Sequence, residues 1–277
     1  AVASPETILS SWKMLAQHFQ HMKLTALDQA AVDAYAANRA SGLIAGRRRK
    51  KASAPTIRRE LSVMVACLNF AARAKLIAPA DVPQFTMPSR SKPRDRWLTG
   101  DETAALYGAA RRLYGAGDRV ETFLTLAHET AARASAILDL TWAQIDFQNK
   151  VVHYDLPGRR TTAKRRVSVP MSTTLHAYLV LVYPDSDVVN RLHVVKRGRS
   201  GPLAAWSAVK RVARVAGVRD VSPHVLRHTA ATNMARRGVP LFIIAKILGN
   251  SIQVVERTYA KHAVDDLRPA VEKISGG

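Results

Sequence analysis

Residues 222–232 read Ser222-Pro223-His224-Val225-Leu226-Arg227-His228-Thr229-Ala230-Ala231-Thr232. Serine caps helices through its side-chain oxygen, and proline is tolerated in a first turn, where its missing N–H has no intrahelical partner to lose. The stretch therefore predicts a helix opening at Ser222, with His224 and Arg227 three residues apart on one face. Histidine exchanges protons near neutral pH, and a guanidinium presents a fixed fork of donors to phosphate oxygens. Taken alone, the pair equally suits a surface helix with incidental cations.

Working upstream, Val120, Phe123, Leu124 and Ala127 line one face of a predicted helix, and Thr130-Ala131-Ala132-Arg133-Ala134-Ser135 follows it, so that Arg133 projects from its end. Between the two segments, Lys150–Tyr154 and Arg166–Val169 are β-branched and partly alternating, with Pro157-Gly158 supplying a turn, and they predict one β-hairpin. Downstream, Leu248-Gly249-Asn250 precedes a helical run ending at Arg257-Thr258-Tyr259. A tyrosine there is ordinarily a half-buried packing residue. Its phenol, with a pKa of about 10, becomes a nucleophile only beside a base or in a strong positive field. Convergence of Arg133, Lys164, His224 and Arg227 would supply that field.

The charge balance agrees with a phosphate-directed site. Of 277 residues, 42 are Lys or Arg and 21 are Asp or Glu, a net charge of +21. Such an excess suits a polyanion, nucleic acid first, because each phosphate neutralised releases condensed counterions; a membrane surface or an acidic protein would also accept it. The best candidate among the apolar runs, Leu241–Leu248, is short and contains Lys246, well below the roughly 20 residues that span a bilayer. No basic start followed by an apolar stretch marks secretion, so the expected location is the cytoplasm, in association with the nucleoid. Cys67 is the only cysteine, which excludes an internal disulfide, and its setting in Val65-Ala66-Cys67-Leu68-Asn69-Phe70 predicts a buried structural thiol. The chain opens on Ala1 rather than Met, pointing to processing or to excision from a longer chain.

Residues 5 to about 78 carry a helical pattern, clearest from Thr56 to Lys75, where Ile57, Leu61, Met64, Val65, Leu68 and Ala72 share a face. Gly46-Arg47-Arg48-Arg49-Lys50-Lys51 interrupts it as a charge run, read either as a solvated loop or as a phosphate contact. Pro79, Pro83, Pro88 and Pro93 then break helices, placing a boundary between domains 1–90 and 91–277. After it, a helix capped near Thr99 carries acidic residues in its first turn. The expected fold is mainly α with a small β-hairpin or sheet: an N-terminal helical bundle, then an α+β domain.

The second domain resembles the catalytic domain of the tyrosine recombinases, the phage integrase family, from about Arg96 to His262. Those enzymes carry an arginine after a helix, a lysine on a hairpin, a His-x-x-Arg helix, and a tyrosine nine positions after the residue that follows Leu-Gly; Asn250 to Tyr259 is nine positions. Ala54–Ser62, with Arg58, is similar to a helix of the family's core-binding domain, which forms a clamp on DNA with the catalytic domain. The resemblance implies that Arg133 and Arg227 hold the scissile phosphate, His224 assists proton transfer, and Tyr259 forms a 3′-phosphotyrosine with no cofactor required. Lys164 would protonate the leaving oxygen, with Arg160 or Arg165 as substitutes where relatives place a lysine nearer Thr161 or Thr162. Arg47, Arg48, Arg49, Lys50, Lys51 and Arg58 become DNA contacts.

The implied partners are double-stranded DNA with specific core sites, three further copies of the chain in a homotetramer, and accessory DNA-bending or directionality proteins. The stretch from Ala263 to Ile274, with Val264, Leu267, Val271 and Ile274 at helical spacing, reads either as a helix docked on a neighbouring subunit or as one packed on its own domain. Two departures stand out: Asn250 where the family has histidine or tryptophan, and Ala136 where it often has an acid. They keep open a DNA-binding protein with weakened cleavage, and the shared chemistry keeps open a type IB topoisomerase-like enzyme. The expected reaction is site-specific cleavage and rejoining of DNA in integration or excision of a mobile element.

Overall fold

A computed structural model describes residues 5–46, 51–89, 95–155, 165–184, 192–195 and 204–263. The chain divides into two compact units, 1–94 and 95–277.

The first unit contains α1 (Pro5–Phe19), α2 (Gln29–Ser41) and α3 (Ala54–Arg73). Asp28 caps α2 by accepting the Ala31 N–H, and Gly42 ends it in the left-handed conformation. Leu15, Phe19, Val32, Tyr35, Ile44, Ile57, Leu61 and Met64 form the core. Burying each large apolar side chain contributes roughly 1.5–3 kcal/mol. Inside it, Glu60 accepts from Tyr35 Oη at 2.8 Å and from Arg39 Nε and Nη2 at 2.9 and 2.7 Å, while Arg39 Nη1 donates to the Ile44 carbonyl at 2.7 Å. These bonds compensate two buried charges.

The buried stripe of α3 ends at Met64, and Phe70 lies largely exposed. Cys67, expected to be buried, is exposed: at that turn it is Leu68 that packs against the core, and Cys67 lies to the side of the inward stripe.

The second unit is helical around a small sheet. Its helices are α4 (Gly100–Tyr114), α5 (Arg119–Thr130), α6 (Ala134–Leu138), α7 (Thr173–Leu181), α8 (Ala205–Val215), α9 (Pro223–Arg236), α10 (Leu241–Leu248) and α11 (Ile252–Tyr259). Thr99 caps α4 in a reciprocal pair with Glu102. The hairpin gains a third strand: β1 (Ile145–Asp146), β2 (Val151–His153) and β3 (Ser168–Pro170) form an antiparallel sheet in that order, with Val152 facing both Ile145 and Val169. The expected turn at Pro157-Gly158 lies outside the described residues. Helix α5 buries nearly every side chain and packs against α9, whose Thr229, Ala230, Ala231 and Thr232 are small enough for close approach. A second cluster joins α9, α10 and α11 through Ala231, Ala235, Ile244, Leu248, Val255 and Tyr259. Among the described residues, no helix is long and apolar enough to cross a membrane.

Candidate active site

Arg133 is placed by the end of α5. Ala131 takes a left-handed conformation (φ 52°, ψ 22°), which costs an L-residue roughly 1–2 kcal/mol and turns the chain sharply. Thr130 secures the turn: its hydroxyl bonds the Leu126 carbonyl at 2.6 Å and the Tyr154 hydroxyl at 2.8 Å. Arg133 follows at the start of α6, donating from Nη1 to the Arg165 carbonyl and from Nη2 to Asn250 Oδ1, both at 2.7 Å.

Arg227 comes to the same place from α9. Ser222 accepts the Val225 N–H and Pro223 fills the first turn, as the capping pattern requires. The guanidinium is buried, with Nη1 on the Ala131 carbonyl and Nη2 on the Leu248 carbonyl, each at 2.7 Å, and Nη2 also lies 3.4 Å from Asn250 Oδ1. Burial, then the Arg133 charge, pulls its pKa down to about 10. Two guanidinium groups are thus fixed from behind by backbone carbonyls, and both meet one neutral oxygen. Neither neighbour can accept a hydrogen bond, so the Asn250 oxygen rather than its nitrogen faces them.

Asn250 reaches this position because Gly249 ends α10 at φ 58°. A side chain at 249 would put its Cβ 3.1 Å from the Arg165 carbonyl oxygen and 3.3 Å from Val167 Cγ1. Only glycine satisfies both the conformation and the approach.

Tyr259 ends α11 and is 7% exposed. Its hydroxyl lies 3.1 Å from His228 Nδ1, and the two rings are 5.1 Å apart at a tilt of 35°. Burial raises the phenol pKa, with the Arg227 charge opposing it. His228 Nε2 lies 3.3 Å from Asp95 Oδ1, while Lys261 pairs with Asp95 Oδ2 and His262 Nε2 lies 3.4 Å from Oδ1. The Lys261 hydrogen bond, more than His228 and His262, brings the Asp95 pKa down to about 2. Burial lowers the His228 pKa against the pull of Asp95.

Of the residues singled out in the sequence, Arg133, Arg227 and Asn250 are in direct contact, and Tyr259 lies within the field of Arg227. His224 is exposed; desolvation, then Arg227 and Arg133, lowers its pKa. Lys164 and Arg160 lie outside the described residues, as do Arg47, Arg48, Arg49 and Lys50 and the stretch after Ala263. Lys51 is exposed, and Arg58 donates one N–H to the Pro88 carbonyl. Arg165 contributes a carbonyl to Arg133 rather than its charge.

Sequence reasoning missed His228 and Asp95. His228 stands next to Arg227 and one helical turn after His224, a signal that was available; Asp95 is 133 residues away and gave none. Also missed was the environment of Ala136. It is buried and lines a cavity of about 40 Å³ with Arg133, Arg166, Tyr154 and Arg227. Arg166 pairs with Asp139 through Nη2, whereas its buried Nη1 has no partner among the described residues.

Residues 96–265 match the protein-family model described as the phage integrase family. The tyrosine recombinase XerC of Bifidobacterium longum (strain DJO10A) is 31% identical over 171 residues, covering 57% of this chain and 47% of that protein. The integrase of Salmonella phage P22 is 29% identical over 241 residues, covering 81% of this chain and 58% of its own. The chain thus spans about half the length of these curated relatives. In fold it is similar to the Tn1549 transposon integrase solved in complex with transposon right end DNA, at a TM-score of 0.73 and 16% identity over 98% of this chain and 94% of that one. The lambda integrase dimer bound to a core site gives 0.67 at 15% identity, over 91% and 70%.

Proposed function

Since the chain belongs to the phage integrase family, we propose that it is a site-specific tyrosine recombinase that cleaves and rejoins double-stranded DNA through a 3′-phosphotyrosine in integration or excision of a mobile element. The observation that carries this reading is the meeting of Arg133 and Arg227 on one oxygen, with the charge of Arg227 reaching the Tyr259 phenol. Donors anchored by backbone carbonyls need no reorganisation when a phosphate arrives, which is what stabilisation of a developing pentavalent oxyanion requires.

In this reading Arg133 and Arg227 take the non-bridging oxygens, and Asn250, its Oδ1 kept on the two arginines, donates from Nδ2 to one of them. His224, exposed and facing the same charges, assists proton transfer. Tyr259 attacks phosphorus, and Lys164 protonates the departing 5′ oxygen. The phosphotyrosine conserves the bond energy for rejoining. In the first unit Arg47, Arg48, Arg49, Lys50, Lys51 and Arg58 hold the DNA backbone. Strand exchange between paired core sites calls for a homotetramer on DNA, with accessory bending or directionality proteins, acting at the nucleoid in the cytoplasm.

The test is a trapping experiment. Duplexes that the protein selects from random-sequence DNA are rebuilt with a nick, so that the cleaved segment diffuses away. The wild type should accumulate a denaturant-resistant covalent adduct, and Tyr259→Phe should bind the same duplex without forming one. Binding by the wild type with no adduct overturns the reading.

A further inference from the structure

To attack phosphorus Tyr259 must lose its phenolic proton, and the side chain hydrogen-bonded to that phenol is His228, at 3.1 Å from Nδ1. The other ring nitrogen, Nε2, lies 3.3 Å from Asp95 Oδ1. An ionised carboxylate only accepts, so the hydrogen of the neutral ring sits on Nε2 and the Nδ1 lone pair is left facing the hydroxyl. Nucleophile, imidazole and carboxylate stand in the order by which weakly acidic hydroxyls are activated elsewhere.

We propose that His228 is the proton acceptor for Tyr259 and that Asp95 is a positioning residue that fixes the His228 tautomer and stabilises the imidazolium. The proposal rests on the reading of Tyr259 as nucleophile. As the Oη–P bond forms and the P–O5′ bond breaks, the Oη proton passes to His228 Nδ1, and the exposed His224 one turn earlier assists by relaying it towards solvent. The departing 5′ oxygen takes its proton from Lys164, and rejoining runs both transfers in reverse.

The surroundings suit this role. Groups facing His228 are Tyr259 from α11, Asp95 from the segment before α4, His262 from the turn after α11, and His224 one turn earlier on α9. Burial keeps the imidazole neutral at neutral pH, and therefore able to accept, while the Asp95 carboxylate stays ionised to receive the new positive charge. Lys261 binds the second Asp95 oxygen and leaves the first to histidine. The segment bearing Asp95 is itself held: Leu98 N–H donates to Thr229 Oγ1 at 2.9 Å, Arg96 pairs with Glu102, and Arg236 lies over the Trp97 ring. A Tyr–His contact made for packing alone would need no third group fixed in this way.

The decisive measurement is single-turnover adduct formation on a selected duplex with a bridging 5′ sulfur at the scissile phosphate. A thiolate leaves without needing a proton, so pH then reports the nucleophile. The wild-type rate should fall as acid protonates His228. In His228→Asn the rate should drop by about 10²–10⁴-fold and that acid limb should vanish. Asp95→Asn should slow the reaction less, without weakening DNA binding. An unchanged rate and pH profile in His228→Asn overturns the dyad and leaves Tyr259 as nucleophile, whereas no adduct from the wild type overturns the nucleophile itself. A second readout needs neither DNA nor a histidine variant: nitrogen NMR of the free protein at neutral pH should show His228 neutral with its hydrogen on Nε2, shifting towards the other tautomer in Asp95→Asn. A charged ring, or a hydrogen on Nδ1 in the wild type, overturns the proposal even where His228→Asn does not fold.

Discussion

Arg133 donates from Nη2 to Asn250 Oδ1 at 2.7 Å, so an arginine placed by the end of α5 is oriented by a side chain from the end of α10. Without this acceptor the guanidinium would stand close to Arg227 with one neutral partner fewer to offset the like charge and fix its orientation. Asn250→Ala should therefore leave the fold intact and slow adduct formation. Losing a hydrogen bond to a charged group costs about 1.5–3 kcal/mol, or roughly tenfold to a hundredfold in rate. Single-turnover rates at saturating DNA check it, and a rate equal to wild type would show that Asn250 is a bystander. Asn250→His restores a ring nitrogen that can accept from Arg133 and should recover part of the loss.

Stability should decline on mild acidification. His128 and His228 have pKa values lowered in the fold, first by burial, and the exposed His224 has its own lowered by partial desolvation together with the Arg227 and Arg133 charges, from an unfolded value of about 6.5. Between the folded and unfolded values the unfolded chain binds more protons, so stability falls as pH drops below about 6.5 and levels off once the folded values are passed. Asp95 and Glu102, whose pKa values are also lowered, extend the same trend at lower pH. The midpoint of thermal unfolding should thus be lower at pH 5.5 than at pH 7.5, and a midpoint that rises towards acid contradicts the assignment of three neutral histidines.

Much of the site was legible because the signals are local. Ser222 and Pro223 announce the start of α9, and with it the positions of His224 and Arg227, while Thr99 announces α4. Features set by tertiary contact were not legible. β1 is two residues long, too short for any alternation to show, and forms only because Val152 presents an edge to it. Cys67 lies within an apolar run, but which side of such a run is covered depends on where the core packs against it. Asp95 belongs to a segment with no periodic pattern, and its relation to His228 exists only once Leu98 is tied to Thr229. Nor could the sequence convey that α9 is buried on most sides, which is what keeps the His228 ring neutral.

In the first unit, the bonds that Glu60 accepts from Arg39 and Tyr35 should be a main determinant of stability. Arg39→Ala leaves a buried carboxylate without its counter-charge, a loss that typically costs about 3–5 kcal/mol. Glu60→Gln keeps the shape but removes the charge and should cost less. Denaturant unfolding of the two variants checks the order, and equal midpoints would show that packing rather than charge holds α2 against α3.

A carboxylate at position 136 should improve the site. Ala136 lines a cavity of about 40 Å³ together with Arg133, Arg227 and Arg166, whose buried Nη1 has no partner among the described residues. A water needs roughly 10–15 Å³ of such space, so the cavity has room for a short acidic side chain. Ala136→Asp would give Arg166 a charged acceptor worth about 1.5–3 kcal/mol, offset in part by desolvation of the new carboxylate. We expect a net gain of about 1 kcal/mol and faster adduct formation, because Arg166 leads directly into the Arg165 carbonyl that holds Arg133. Ala136→Val separates pairing from filling, since it occupies the same space with no acceptor. If valine raises stability and rate as much as aspartate does, the cavity matters only as a packing defect and Arg166 needs no partner.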